Sequence, residues 1–366
     1  MPSQLDNIKK SLTEANASED FKVEIIKYSK NLEEKGLPVI FSLPDLSFKI
    51  GLPFHVIQDI LKDKPKHYKT FKIQKKTGGH RWITSPDEQL KRIQRWIYEN
   101  ILKNVPEHDC SFGFVNERSI VDNAKKHVGQ DTILNLDLYR FFDSIEQKRV
   151  AGVFKYLGYH PNLAYSIAEL LTAKMSKTYW KEIEEENIFT DSFIEESPQI
   201  LPQGSPASPR IANFIAHSLD TKMSLLANKL NLNFSRYADD LTFSGDYKKL
   251  PSIKTVRKII LEEGFHLNEK KVKYFKRSHR QIVTGVVVND KISVPREFKE
   301  KLRTELYHCI KKGPEAHQNW LVRNKEFKIK ANYRDHLLGK ACFVYAVEPE
   351  LGKSYLEMYN QIKWEL

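Results

Sequence analysis

Cysteine is scarce in this 366-residue chain. Cys110, Cys309 and Cys342 stand far apart, which fits neither a disulfide framework nor a CxxC metal motif. No stretch of 18 apolar residues occurs, and the opening "MPSQLDNIKKSLTEANASED" has no apolar signal core. The expectation is a cytoplasmic protein with no membrane partner. Internal repeats and low-complexity linkers are missing too. What is present is a globular composition, 40% hydrophobic and 29% charged, with length for two or three packed units. The net charge of +12 is localised: Lys254–Lys340 holds 22 Lys and Arg against 10 Asp and Glu, so the rest of the chain sums to zero. A positive field confined to the C-terminal third suits a polyanionic partner; a lysine-rich surface kept for solubility is the alternative.

Along the chain, residues 1–65 read as helices with short breaks. "YKTFKIQKKTGGHRWIT" predicts a hairpin, with Phe71 and Ile73 on one strand, Gly78 and Gly79 at the turn, and Arg81 to Thr84 on the other. A helix follows with Leu90, Ile93, Trp96 and Ile97 on its apolar face. "LPQGSPASPRIANFIAHSLD" predicts a loop and then a helix, with Ser208 as N-cap and Pro209 at N1. Lys181–Ser197 holds seven acids and one base and reads as an exposed acidic insertion.

Two stretches carry the chemistry. In "ILNLDLYRFF", Leu134, Leu136 and Leu138 share one face of a strand, so Asn135 and Asp137 point to the other. A leucine face packs on helices. An enclosed carboxylate opposite it is costly unless it is paired or binds a metal. In "RYADDLTFSG", Asp239 and Asp240 lie between Leu232 and Phe234 on one side and Leu241 and Phe243 on the other, as at the tip of a hairpin. An ordinary β-turn would use Asp in the same way. Three carboxylates without a nearby His or Cys suit Mg²⁺, with Mn²⁺ as substitute, rather than zinc. Two such ions about 3.5–4 Å apart can stabilise both oxygens of a phosphoryl transfer.

The ordered set "FKIQKKTGGHRWI", "LDLYRFFDSI", "LPQGSPASP" and "RYADD" resembles the fingers and palm motifs of reverse transcriptases. "NAKKH" (Asn123, Ala124, His127) and Val283-Thr284-Gly285 are similar to two elements of the retron enzymes within that group. The resemblance implies an α+β right-hand polymerase fold: an antiparallel palm sheet packed on helices, mixed fingers and a helical thumb. The expected division is an N-terminal helical region at 1–65, fingers at 66–130 with part of 150–200 interleaved, palm at 131–285, and thumb with C-terminal helices at 286–366. It implies an RNA-directed DNA polymerase that copies a cognate structured non-coding RNA into short single-stranded DNA, primed from a 2′-hydroxyl of that RNA, in anti-phage defence.

By the same resemblance, Asp137, Asp239 and Asp240 are the catalytic metal ligands, joined by the backbone carbonyl of Leu138. Phe142 is the aromatic gate that leaves no room for a 2′-hydroxyl, with Phe141 or Phe142 as plain core the alternative. Gln203 and Gly204 lie by the incoming dNTP and template. Lys75 or Lys76, with Arg81, binds the triphosphate. Lys271, or equally Lys270, protonates the leaving pyrophosphate. Asn123, His127, Val283, Thr284 and Gly285 contact RNA or primer; for His127 a buried structural role is the alternative. The acidic insertion is longer than the family's palm leads one to expect and would contact an effector or accessory protein. No RNase H or His-Asn-His nuclease pattern is visible, so RNA trimming falls to a host RNase. A group II intron-like or other bacterial reverse transcriptase, and a non-catalytic RNA-binding scaffold with this fold, are the competing readings.

Overall fold

A computed structural model describes residues 4–74, 79–185, 196–323 and 332–364. Helices alternate with short strands, and every named strand pair is antiparallel. The class is therefore α+β, as expected. The chain forms two compact units, each assembled from separate segments.

The first unit comprises Met1–Asp109, Leu138–Thr221 and Arg257–Leu267. Its N-terminal helices bury Leu32, Leu46, Ile57 and Ile60 completely. Helix Glu19–Glu34 is capped by Ser18, whose hydroxyl accepts from Phe21 N, and helix Leu43–Ile50 by Ser42 and a left-handed Gly51, which satisfies end groups that a bare helix leaves open. Strands β1 (Tyr68–Gln74) and β2 (His80–Pro86) form the expected hairpin, with Tyr68 opposite Pro86 and Gln74 opposite His80. The turn residues Lys75, Lys76 and Gly78 lie outside the described residues. Helix Lys177–Glu184 buries Tyr179, Trp180 and Ile183, and Tyr68 and Trp82 of the hairpin pack on that cluster. Glu182 on this helix accepts from Trp82 Nε1 at 3.0 Å and from Lys72. The start of the predicted acidic insertion is thus helix; residues 186–195 lie outside the described residues.

The expected cap at Ser208 is corrected. The helix already includes Ser208, Ala207 occupies the N-cap without a side-chain bond, and the Ser208 hydroxyl is buried without a partner. Pro209 sits in the first turn, where a missing N–H costs nothing. The expected single helix is two, Ser208–Ile215 and His217–Lys229, broken at Ala216.

The second unit comprises Cys110–Asp137, Lys222–Val256 and Asn268–Leu366. At its centre β3 (Thr132–Tyr139, of which 132–137 belong here) lies between β5 (Asp240–Gly245) and β7 (Lys273–Lys276), and β4 (Asn233–Tyr237) flanks β5. Leu138 and Tyr139, in the first unit, pair with β6 (His266–Leu267) of that unit. Strands β8 (Ile282–Val283) and β9 (Val286–Val287) make a small hairpin. Helices Arg296–Lys312, Tyr333–Val347 and Pro349–Asn360 share an apolar core that takes in Val121, Ala124, Ile133, Val283 and Val286. Among the described residues no helix is long and apolar enough to cross a membrane.

Candidate active site

Period-two alternation puts Leu134, Leu136 and Leu138 on the buried side of β3 and Asn135 and Asp137 on the opposite side. Asp137 stands directly across from Asp240 in the β3–β5 register; such partners have Cβ atoms about 5 Å apart. Tyr237 pairs with Asp240, so Ala238 and Asp239 form a two-residue turn between β4 and β5. Ala238 adopts φ +56, a left-handed conformation that costs a non-glycine residue about 1 kcal/mol. The turn is therefore held from outside. Arg236, fully buried, donates to the Ala238 carbonyl at 3.0 Å and to Ser111 Oγ at 3.1 Å. Segment Cys110–Phe112 runs beside β4, with Arg236 N donating to Cys110 O and Phe112 N to Arg236 O. Gly113 presses on the turn itself: a Cβ there would lie 2.4 Å from Ala238 N.

The three aspartates differ in environment. Asp137 is buried; its Oδ1 accepts from Asn268 Nδ2 at 2.9 Å and its Oδ2 from Lys271 Nζ at 2.7 Å. Both lysines are exposed, and Lys271 is the one hydrogen-bonded to Asp137. Asp240 keeps an accessible face on a concave wall. Loss of water there, then the negative charges of Asp239 and Asp137, push its carboxyl up to about 7, with Lys271 opposing. The accessible face means that burial is incomplete, and the two neighbouring charges are the part a bound cation would reverse. Crowded acidic oxygens without a His or Cys in this group fit a hard divalent cation. Asp137, Asp239 and Asp240 are the residues that would hold it.

Asp240 lines a cleft of about 480 Å³ together with Asn135, Tyr237, Lys273, Phe275, Thr284 and Gly285. Asn135 braces the cleft, its Nδ2 donating to Ile282 O and its Oδ1 accepting from Thr242 Oγ1. Thr284 and Gly285 form the β8–β9 turn with φ +47 and +84. Positive φ at both central positions is the pattern of a type I′ hairpin, and for a β-branched Thr it is strained. Val283 is fully buried beneath the turn.

The Asn123–His127 element performs a role that the sequence left open. His127 is fully buried, and each ring nitrogen lies 2.7 Å from a serine hydroxyl, Ser244 on β5 and Ser235 on β4. Burial, with Lys126 nearby, lowers its pKa to about 3, so the ring is neutral. For His127 the geometry is that of the buried structural alternative, with both ring nitrogens taken up by serine hydroxyls. Asn123, also buried, donates to Thr284 Oγ1 at 3.4 Å, and that hydroxyl donates to Ile120 O at 3.1 Å. The element ties the β4–β5 hairpin, through His127, and the Val-Thr-Gly turn, through Asn123, to the short helix Ile120–Lys125 and the residues just after it.

The other predicted residues lie in the first unit. Gln203 O accepts from Thr84 N at 2.7 Å, and Gly204 has φ +132 with room for a Cβ denied by Thr84 O at 2.7 Å. This glycine thus lets the chain pass close against the β1–β2 hairpin. Phe141 is core, 5.3 Å from the Phe265 ring, while Phe142 is half-buried, so the two neighbours have separate environments. Arg81 is exposed on β2. Leu138 pairs with Leu267. Sequence reasoning missed Asn268, Gly113 and Arg236.

A fold of this class, with paired carboxylates at a strand end and a hairpin turn, has a known counterpart. The family described as reverse transcriptase (RNA-dependent DNA polymerase) matches residues 73–295, and the chain belongs to it. Among curated proteins it is 32% identical over 336 residues to Retron Mx65 reverse transcriptase of Myxococcus xanthus, covering 89% of this chain and 73% of that one. It is 30% identical over 333 residues to Retron Ec86 reverse transcriptase of Escherichia coli, covering 89% and 95%. To Retron Mx162 reverse transcriptase of Myxococcus xanthus it is 31% identical and spans 62% of that protein's length. Within the family the chain is a retron reverse transcriptase, an RNA-directed DNA polymerase.

Proposed function

We propose that this polymerase copies a cognate structured non-coding RNA into a short single-stranded DNA, starting from a 2′-hydroxyl of that RNA so that RNA and DNA stay joined. The observation that carries the reading is Asp137 facing Asp240, with Asp239 at the turn and the strained Thr284–Gly285 turn lining the same cleft as Asp240. In each step a hydroxyl of the growing end gives up its proton, its oxygen attacks the α-phosphorus of a dNTP, and the bond to pyrophosphate breaks. Two Mg²⁺ ions on Asp137, Asp239, Asp240 and the Leu138 carbonyl would neutralise the attacking and leaving oxygens; Mn²⁺ could replace them. Lys271, already one hydrogen bond from Asp137, is the group that hands a proton to pyrophosphate. Arg81 with Lys75 or Lys76 holds the triphosphate, Phe142 excludes the ribose 2′-hydroxyl, and Gln203 and Gly204 border the nascent pair. Thr284 and Gly285 contact the priming nucleotide, and Asn123 and Val283 support that contact from beneath.

Further parts of the proposal rest on the relatives' class. The basic C-terminal third grips the RNA, a host RNase trims it after copying, and the acidic stretch at 181–197 meets an effector or accessory protein in a cytoplasmic anti-phage complex. The test is nucleic acid extracted from cells carrying the native locus, compared with an Asp239→Ala, Asp240→Ala double mutant, run with and without RNase and debranching enzyme. A short DNA that needs both aspartates and shifts on debranching is expected. A linear product in its place contradicts 2′-hydroxyl priming.

A further inference from the structure

Asp137 is approached by two donors of different kinds from a single tetrapeptide. Asn268 follows β6 directly; its main-chain N–H donates to Asp137 O at 2.8 Å while its side chain donates to Oδ1. That two-point attachment fixes both the backbone and the rotamer of the aspartate. Lys271 is placed three residues on, its N–H bonded to Asn268 O at 3.0 Å, and its ammonium meets Oδ2. Its side chain is 57% exposed, on a four-carbon stem that pivots freely.

We infer that Asn268 and Lys271 set the affinity of Asp137 for a divalent cation in opposite directions: Asn268 is a positioning residue that presents the carboxylate, and Lys271 is a resident cation that the metal displaces. The inference rests on the reading of the aspartates as a divalent-cation site. A neutral amide on Oδ1 leaves the negative charge intact and removes only the freedom of the carboxylate to rotate away. Partners of this kind behind a ligating group govern metal affinity as strongly as many ligands do. An ammonium on Oδ2 instead neutralises the charge that a dication needs and repels it at short range. Lys271 therefore competes for Oδ2, and its departure frees it to face the leaving group. Loading of the site and release of the proton donor become one event.

The experiment titrates the full-length protein, free of nucleic acid and metal, with Mn²⁺ alone and follows unbound Mn²⁺ by electron paramagnetic resonance. Asn268→Ala should bind about 10–100-fold more weakly than wild type, and Asn268→Ser should shift the same way should the alanine variant fail to fold. Lys271→Met should bind up to about fivefold more tightly, the share an exposed ion pair can hold back. In primer extension, Asn268→Ala should regain kcat as Mn²⁺ rises, whereas Lys271→Met should not. Asp240→Asn separates the two layers of argument. If it leaves Mn²⁺ binding unchanged, the aspartates are not the cation site and the underlying reading fails. If it weakens binding while the Asn268 variants match wild type, the inference alone is overturned. Weaker binding by Lys271→Met removes its role as competitor.

Discussion

Lowering the pH should destabilise this protein through His127 in a calculable way. The ring is buried between Ser235 and Ser244 with its pKa lowered to about 3, against about 6.5 in an unfolded chain. As pH falls below 6.5 the unfolded state takes up a proton that the folded state refuses. The stability this site contributes is thus complete above 6.5 and is lost progressively down to about 3. Between pH 7.5 and 5.5 one such histidine costs about 1.4 kcal/mol, a sizeable share of the roughly 5–15 kcal/mol of a folded domain. His266 and His317, whose pKa values are also lowered by burial, add to the slope, so the comparison must be with a variant. His127→Gln removes the titrating group, while the cost of its altered hydrogen bonds is the same at both pH values. Urea unfolding of both proteins at the two pH values, followed by tryptophan fluorescence, should show the pH-dependent loss smaller in the variant by about 1.4 kcal/mol. Equal losses in the two proteins would refute the buried neutral ring.

Gly113→Ala forces a Cβ to 2.4 Å from Ala238 N, and the obstacle is main chain that has no rotamer to change. If the β4–β5 turn carries the chemistry as proposed, its displacement by an ångström should cost about 100-fold in polymerisation rate; wild-type rates in steady-state extension would show that the turn is not set by this contact. Phe142→Ala should admit ribonucleotides, read as the ratio of rNTP to dNTP incorporation, and an unchanged ratio removes Phe142 as the gate. RNA affinity should fall steeply with salt, log K against log[salt] having a slope of about −0.7 per phosphate neutralised on single strands; a slope near zero would contradict the cationic grip.

Local pattern carried much of this site. Alternation in "ILNLDLYRFF" assigned faces to Asp137 and the leucines, and β-rich flanks around Asp239 and Asp240 announced a hairpin, because both signals lie within a few residues. What stayed hidden depends on contacts between distant segments. Gly113 matters through Ala238, Asn268 through Asp137, and His127 through two serines more than a hundred residues away. Arg236 would be read as a surface charge from its type, yet it is fully buried because the turn carbonyl and Ser111 need its donors. Ser208 failed as a cap since the helix begins a residue earlier than its side-chain chemistry suggests. The choice between Lys270 and Lys271 turns on which side of one short helical turn meets Asp137, a matter of register that composition does not encode.

The most direct test is RNA-templated primer extension by Asp239→Asn and Asp240→Asn, each paired with a binding measurement on the same RNA. The account predicts that both lose DNA synthesis while their RNA affinity stays within about threefold of wild type, since removing one negative charge alters few phosphate contacts. Retained synthesis in both variants would contradict the assignment of these carboxylates to the chemistry.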